Sequence, residues 1–375
     1  MYYNELCGER VSALGMGAMR LPTDDEGKID EQASQEIIDY AFDNGINYYD
    51  TAYMYHGGAS ETFLGKALAG RERSSYLLAD KFPGFAMGDK SIDEIFNEQL
   101  ERCRTDYFDF YLLHNVNERS IVIYLDEEME ILDYFKRKKE QGVIRHLGFS
   151  SHGKPEMFEQ FCDVFDWDFA QIEMNYLDWT LQNSEAQYQM AVERDLPLVV
   201  MEPVRGGRLA SLTPEADEIL KRQEPEWSIA SWAFKWLMEF DNAKIALSGM
   251  TTMEQLKDNL KTYASRTIIT AEQKAALKEA NELLKGAVNV PCTQCAYCVD
   301  DCPQGLNIPD LINIYNNYTM VANYAVRQAM GRLTPEQRPE NCIACGVCLD
   351  HCPQAINIPG VLVEFDGVMD QAVNA

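Results

Sequence analysis

Eight short apolar runs punctuate the chain between residues 12 and 250: SALGMGAM (12–19), NYYDTA (47–52), YLLADKF (76–82), FDFYLLHN (108–115), HLGFSS (146–151), FAQIEMNY (169–176), PLVVMEP (197–203) and KIALSGM (244–250). Most are apolar nearly throughout, the pattern of strands buried on both faces. Between them lie stretches with helical periodicity, among them EQASQEIIDYAFDNG, SIDEIFNEQLERCRT and PEWSIASWAFKWLME. Several of these end at glycine or a polar turn, as helices do. Eight strand–helix units predict an α/β fold of the (β/α)8 TIM-barrel type. A doubly wound sheet is the competing architecture. It calls for a glycine-rich turn after the first strand, and GMGAMR lacks both the third glycine and the acidic residue some 20 positions later.

Composition narrows the partners. The chain has 375 residues, with 46% hydrophobic and 25% charged, long enough for one large and one small domain. A net charge of −27 disfavours nucleic acid and anionic membrane as partners. No apolar run has the length of a membrane span, and the first residues lack the basic flank and apolar stretch of a secretion signal. A cytoplasmic protein is expected, in which dense cysteines serve as metal ligands rather than disulfides.

Eleven cysteines are present. Cys7, Cys103 and Cys162 stand apart, and Cys103 lies among apolar neighbours, as a small buried hydrophobe would. The other eight fall in two runs of one pattern, C-x2-C-x2-C-x3-C-P: CTQCAYCVDDCP from Cys292 and CIACGVCLDHCP from Cys342. This is the spacing of bacterial 4Fe–4S ferredoxins, in which the fourth cysteine of each run serves the other cluster. Two clusters are therefore expected, one on Cys292, Cys295, Cys298 and Cys352, the other on Cys342, Cys345, Cys348 and Cys302. Zinc is the alternative, although structural zinc prefers paired C-x2-C knuckles separated by a long gap. The repeat runs on past the ligands, PQGLNIPDL against PQAINIPGV, so each half reads as one structural unit. A helical stretch, PDLINIYNNYTMVANYAVRQAM, fills the interval and resembles the mainly helical ferredoxin type, with the β-rich type as the alternative. Helical periodicity gives way to Gly, Asn and Pro in LLKGAVNVP (283–291), which sets domains at 1–283 and 284–375.

Chemistry in a barrel gathers where strands end. The second run ends in Asp50, the third in Lys81 and the fourth in His114, and Tyr55 follows Asp50 by five residues. Singly, each has a structural explanation: a helix cap, a rim cation, a core histidine. Together they suit proton transfer to an oxygen. An ammonium beside a phenol lowers its pKa from near 10, and a carboxylate holds the ammonium in place.

With YYDTAYMY, LLADKF, FYLLHN, IRHLGFSSH, AQIEMNY and GMTTMEQLKDN, residues 8–264 resemble the aldo-keto reductases. The resemblance implies NAD(P)H-dependent reduction of an aldehyde or ketone, or the reverse. Tyr55 would be the general acid, Lys81 and Asp50 its tuners, and His114 would orient the substrate. It also implies that Ser150, Ser151 and Gln171 hold the nicotinamide amide and that Asp258 and Asn259 lie near the adenine. Met19 and Arg20 after the first strand, Arg205 and Gly206 after the seventh and Gly249 after the eighth complete the cofactor set. Met201 stands where many members stack a tyrosine, and Gln255 where NADP-preferring members place an arginine. NADP or NAD is therefore implied, and the phosphate site after strands 7 and 8 suits FMN as well. The substrate would be a small carbonyl compound or alcohol. Because clusters pass single electrons, a second reading makes the chain an electron-transfer enzyme served by a ferredoxin- or flavodoxin-type carrier through flavin or nicotinamide. A non-catalytic redox sensor is the third reading, and the intact tetrad opposes it.

Overall fold

The computed structural model describes residues 1–24, 26–285, 289–320 and 329–373. Each of the eight apolar runs contains a strand of one closed parallel barrel. They are β3 (Leu14–Gly17), β4 (Tyr48–Asp50), β5 (Leu77–Phe82), β6 (Phe108–Val116), β7 (Ile144–Ser151), β8 (Phe169–Glu173), β9 (Leu198–Met201) and β10 (Ala243–Ser248). The order β10-β3-β4-β5-β6-β7-β8-β9 closes on itself, which disposes of the doubly wound alternative. Strands β5 and β6 are buried at every position, as their unbroken apolar runs require.

An N-terminal hairpin that the runs did not announce precedes the barrel: β1 (Tyr3–Leu6) and β2 (Glu9–Ser12), paired antiparallel. Cys7 and Gly8 both take positive φ, the signature of a type I′ turn. Leu6 and Val11 join Tyr48, Leu77, Phe110, Leu112, Phe169, Val199 and Ile245 in the apolar core inside the barrel.

The helical patterns also fold as read. EQASQEIIDYAFDNG forms the helix Glu31–Asp43, capped by the Asp30 carboxylate on the Ala33 amide at 3.0 Å. Its buried face is Ser34, Ile37, Ile38 and Ala41, with each isoleucine contributing about 1.5–3 kcal/mol through burial. Ser91 and Glu94 form a capping box on the helix Ile92–Arg102. Ser228 caps the helix Ile229–Leu237.

The chain divides into two compact units, residues 1–211 with 224–274 and residues 212–223 with 275–375. In the second, helices Ile308–Met320, Val347–His351 and Ile358–Val373 surround a separate core of Val290, Leu306, Ile308, Leu311, Ile312, Tyr315, Ile356, Ile358, Leu362 and Phe365. The sequence repeat is visible in this core. Ile308 and Ile358 begin matched helices, and Tyr315 packs against its counterpart Phe365 with ring centroids 5.5 Å apart. Asn316, buried, exchanges two 2.8 Å hydrogen bonds with the Val290 backbone and so ties the first cysteine run to the helix. Residues 321–328 of the predicted helical stretch and 286–288 of the predicted boundary lie outside the described residues.

Candidate active site and cluster-binding cysteines

Lys81 is the hub of the barrel's C-terminal face. It is completely buried, and its Nζ donates to Asp50 Oδ1 at 2.5 Å, to the Thr51 carbonyl at 2.7 Å and to the Tyr55 hydroxyl at 3.3 Å. Parallel register makes this possible: Asp50 pairs with Ala79 across β4 and β5, leaving Lys81 two residues further up the same mouth. Burial pushes the Asp50 carboxyl above its ordinary range, and the Lys81 charge draws it back. The His114 ring meets the Tyr55 ring edge-on at 6.0 Å. Burial first, and then the Lys81 charge, hold His114 well below the usual imidazole range, so it is neutral. The Tyr124 hydroxyl fixes the turn after these strands, donating to the His114 carbonyl at 2.6 Å and accepting from the Gly84 amide at 3.2 Å. Asn115 and Glu202, which follow His114 and Met201 as the chain leaves β6 and β9, have φ of +58° and +55°. Such backbone is costly away from glycine and collects at functional sites.

The residues expected to hold a nucleotide lie on or after the first and the fifth to eighth strands of the barrel. Ser150 Oγ accepts from the Asn115 amide at 2.8 Å, and Ser151 Oγ donates to the Val116 carbonyl at 3.4 Å. Gln171 donates through Nε2 to Met201 Sδ at 3.4 Å, while its Oε1 is a buried acceptor with no hydrogen-bond partner among the described residues. A buried orphan acceptor is unfavourable unless a donor arrives, and an amide NH2 such as that of nicotinamide is such a donor. Half-buried Met19 and Arg20 form the turn after β3, with Arg20 Nη2 4.0 Å from Glu202 Oε1. Gly249 packs on that arginine so closely that a Cβ would lie 2.9 Å from Arg20 Cβ. Gln255 turns back to cap its own helix, accepting from the Thr251 and Thr252 amides at 2.8 and 3.1 Å. Asp258 accepts from Ser228 Oγ at 2.5 Å, and Asn259 donates to Ser248 Oγ at 3.1 Å. Arg205 and Gly206 open the loop after β9, and Arg205 is fully buried with Nε 2.8 Å from Asp178 Oδ2.

The sequence reading passed over several residues at this mouth. His152 follows the two serines, is buried, and lies with Nδ1 3.8 Å from Glu173 Oε2. Burial and the Lys81 charge pull its pKa down to about 4. Burial, then Asp178 and Glu202, hold the Glu173 carboxyl well above its usual range. The signal was present as polar letters inside apolar runs, SSH and IEMNYLD. Tyr124 had none.

The eight cysteines line two cavities in the second unit. One is bordered by Cys292, Cys295, Cys298 and Cys352, the other by Cys342, Cys345, Cys348 and Cys302. Each set draws three cysteines from one run and the fourth from the other. Apolar neighbours cross as well: Ile356 and Ile358 line the first cavity, Leu306 and Ile308 the second. Positive φ recurs at matched places in the two runs, at Gln294 and Ala296 in the first and at Ala344 and Gly346 in the second. Successive backbone turns of this kind form anion-holding concavities. The Gln294 amide donates to Cys292 Sγ at 3.4 Å. Burial, then the thiols of Cys342 and Cys345, push Cys348 up to about 11. Thiols that hinder one another's ionisation are a donor set awaiting cations. The fit is to an iron–sulfur cluster, whose ligands are four thiolates.

Comparison with known proteins agrees with both halves. Residues 13–282 match the model of the aldo/keto reductase family, and residues 291–356 that of a 4Fe-4S dicluster domain. An uncharacterized oxidoreductase of Bacillus subtilis, YqkF, is 26% identical over 71% of this chain and 91% of its own. L-galactose dehydrogenase of Arabidopsis thaliana is 29% identical over 60% of this chain and 68% of its own. Among solved structures, the holo form of aldo-keto reductase AKR11C1 from Bacillus halodurans superposes with a TM-score of 0.63 at 27% identity, over 75% of this chain and 96% of its own. An aldo-keto reductase of Klebsiella pneumoniae, solved in complex with NADPH, has the same fold at 20% identity, with a TM-score of 0.60 over 74% of this chain and 95% of its own. No helix among the described residues is long and apolar enough to cross a membrane. With its barrel matched nearly end to end and its second cysteine-rich unit matched in turn, the chain belongs to the aldo/keto reductase family and carries a 4Fe–4S domain after the barrel.

Proposed function

We propose that the barrel reduces an aldehyde or ketone by hydride transfer, or runs the reverse oxidation, with Tyr55 as the general acid. The observation that carries this reading is Lys81 Nζ placed between Asp50 and the Tyr55 hydroxyl. A bound nicotinamide nucleotide, NADPH or NADH, would supply the hydride. Ser150, Ser151 and Gln171 would hold its amide, and Gly249, Asp258 and Asn259 its far end. As negative charge builds on the substrate oxygen, Tyr55 donates its phenolic proton to it, and the buried Lys81 ammonium stabilises the phenolate left behind. Asp50 holds that ammonium in place. Neutral His114 fixes the direction of the carbonyl oxygen. Water then returns the proton to Tyr55, and the alcohol leaves.

In the second domain, which we set at residues 284–375, the two crossed sets of cysteines hold one 4Fe–4S cluster each. Thiol ligands of this kind suit a reducing cytoplasm. The test is anaerobic turnover of NADPH or NADH with an aldehyde. Tyr55→Phe should lower kcat by about 10²–10⁴-fold with cluster absorbance unchanged. A variant turning over at the wild-type rate would overturn the reading.

A further inference from the structure

The two cysteine runs are near copies, yet two matched positions break the symmetry in a direction opposite to ordinary polarity. Thr293 and Ile343 each follow the first cysteine of their run. The threonine is 1% exposed and the isoleucine 60% exposed. Asn313 and Val363 are matched in the same way on the two equivalent helices; Asn313 is half-buried, whereas Val363 is 70% exposed. At both places the first half draws a polar side chain inward, fully at Thr293 and partly at Asn313, and the second presents an apolar one to solvent. Single exposed hydrophobes are common on any protein. These two are among the three most exposed large hydrophobic side chains of the described residues, and the helix that carries Val363 packs against Pro339–Asn341, just before Ile343. Ile343 lines the cavity of Cys302, Cys342, Cys345 and Cys348, and Val363 follows Leu362, which lines it too. Cys345 is exposed, while its counterpart Cys295 is only partly so. The surrounding charge is one-sided. Residues 335–366 carry five carboxylates against a single arginine, and Glu340 and Glu364, close in sequence to the two apolar residues, are exposed.

We propose that Ile343, Val363 and the Cys345 loop form the docking face for a one-electron carrier protein. That carrier would present an apolar contact ringed by lysine or arginine around its own redox centre. The apolar pair supplies desolvated contact and the carboxylates supply steering. One electron passes between the carrier's centre and the cluster on Cys302, Cys342, Cys345 and Cys348. One centre is oxidised as the other is reduced, and no bond forms or breaks. An acidic carrier of the common ferredoxin kind would be repelled. The inference rests on the ligand sets proposed above and is independent of the chemistry in the barrel.

The probe is cytochrome c, a basic one-electron haem protein, with an acidic plant-type ferredoxin as its opposite. Iron content and the visible cluster spectrum of the full-length protein are measured first. A wild-type protein without iron would sink the ligand assignment, and this inference with it. Binding of oxidised cytochrome c to the oxidised protein is then followed by titration calorimetry at low ionic strength, and electron transfer from the dithionite-reduced protein to oxidised cytochrome c by stopped flow. Replacing Ile343 and Val363 together by serine should weaken binding and slow exchange about tenfold. Val122→Ser, at another side chain 66% exposed, should change neither. Raising salt to about 0.15 M should weaken the wild-type complex. If the double variant loses iron, Ile343→Thr, which copies the twin run, replaces it in the same measurements. The proposal is overturned if the replaced proteins bind as wild type, if Val122→Ser weakens binding equally, if cytochrome c does not bind, or if the acidic ferredoxin binds more tightly.

Discussion

At the barrel mouth Asp50, Tyr55, Lys81 and His114 come from three strands and the loop after the first of them, and they meet because parallel strands end together. In the C-terminal unit eight cysteines fall within residues 292–302 and 342–352, yet the sets that line each cavity cross between the two runs. The mouth is dry. Asp50, Lys81 and His114 are at most 3% exposed, and each titration shift resolved there begins with burial. The cysteine cavities are wetter, with Cys345 exposed and five of the other seven cysteines partly so. A site on buried strands is organised before any ligand arrives. A thiol site in loops is completed by the metal, whose binding is itself folding energy. Loss of a cysteine should therefore empty its whole cluster site, whereas loss of a mouth residue should leave the iron untouched.

The largest effect tests the crossing. Cys302→Ala with Cys342→Ala strikes one cavity twice if the sets cross, and both cavities once if each run holds its own cluster. The expected outcome is retention of about four irons per chain, half the complement of two clusters. Cys292→Ala with Cys302→Ala should strip both. Iron and sulfide assay with visible spectroscopy decides between them. Four irons in the second protein and none in the first would establish local ligation instead.

An intermediate effect probes the dry mouth. Lys81→Met leaves the Asp50 carboxylate buried without its cation, which should destabilise the barrel by about 3–5 kcal/mol in urea unfolding followed by tryptophan fluorescence. Adding Asp50→Asn should recover much of that loss, because the uncompensated charge goes too. The iron content of both proteins should be that of wild type. A loss below 1 kcal/mol in the single variant would mean that water reaches this site, and the contrast with the cysteine unit would fail.

Both regions were legible in the sequence, by different routes. Strand count, closure and the tetrad followed from period and position, because strands buried on both faces have little freedom of composition. The cysteine sets followed from spacing alone. The hairpin β1–β2 escaped because NELCGERVS alternates weakly, its two inward residues being only Leu6 and Val11. His152 and Glu173 escaped because a polar residue in an apolar run reads as core or as site with equal ease until its neighbours are known. Gln255 shows what position alone leaves out: the family pattern places it near the nucleotide, and its carboxamide oxygen also closes a helix cap, a role that depends on the conformation of Thr251 and Thr252.

The smallest effect lies in pH. His152 has a folded pKa of about 4, lowered by burial and by Lys81, against about 6.5 for an unfolded imidazole. Between those values the unfolded chain binds the proton and the native state does not, so stability falls as pH drops through 6.5 and levels off below 4. The full difference corresponds to ~3 kcal/mol. His114 is shifted the same way, so the useful quantity is the difference between wild type and His152→Gln, in which the His114 contribution largely cancels. Urea unfolding of both at intervals from pH 7.5 to 4.5 should give a shallower slope for the variant. Parallel slopes would mean that His152 titrates as an exposed imidazole does, with water at its ring. The mouth would then be no drier than the cysteine loops, and the division between a site made by burial and one made by metal would lose its footing at the residue that follows the proposed nicotinamide serines.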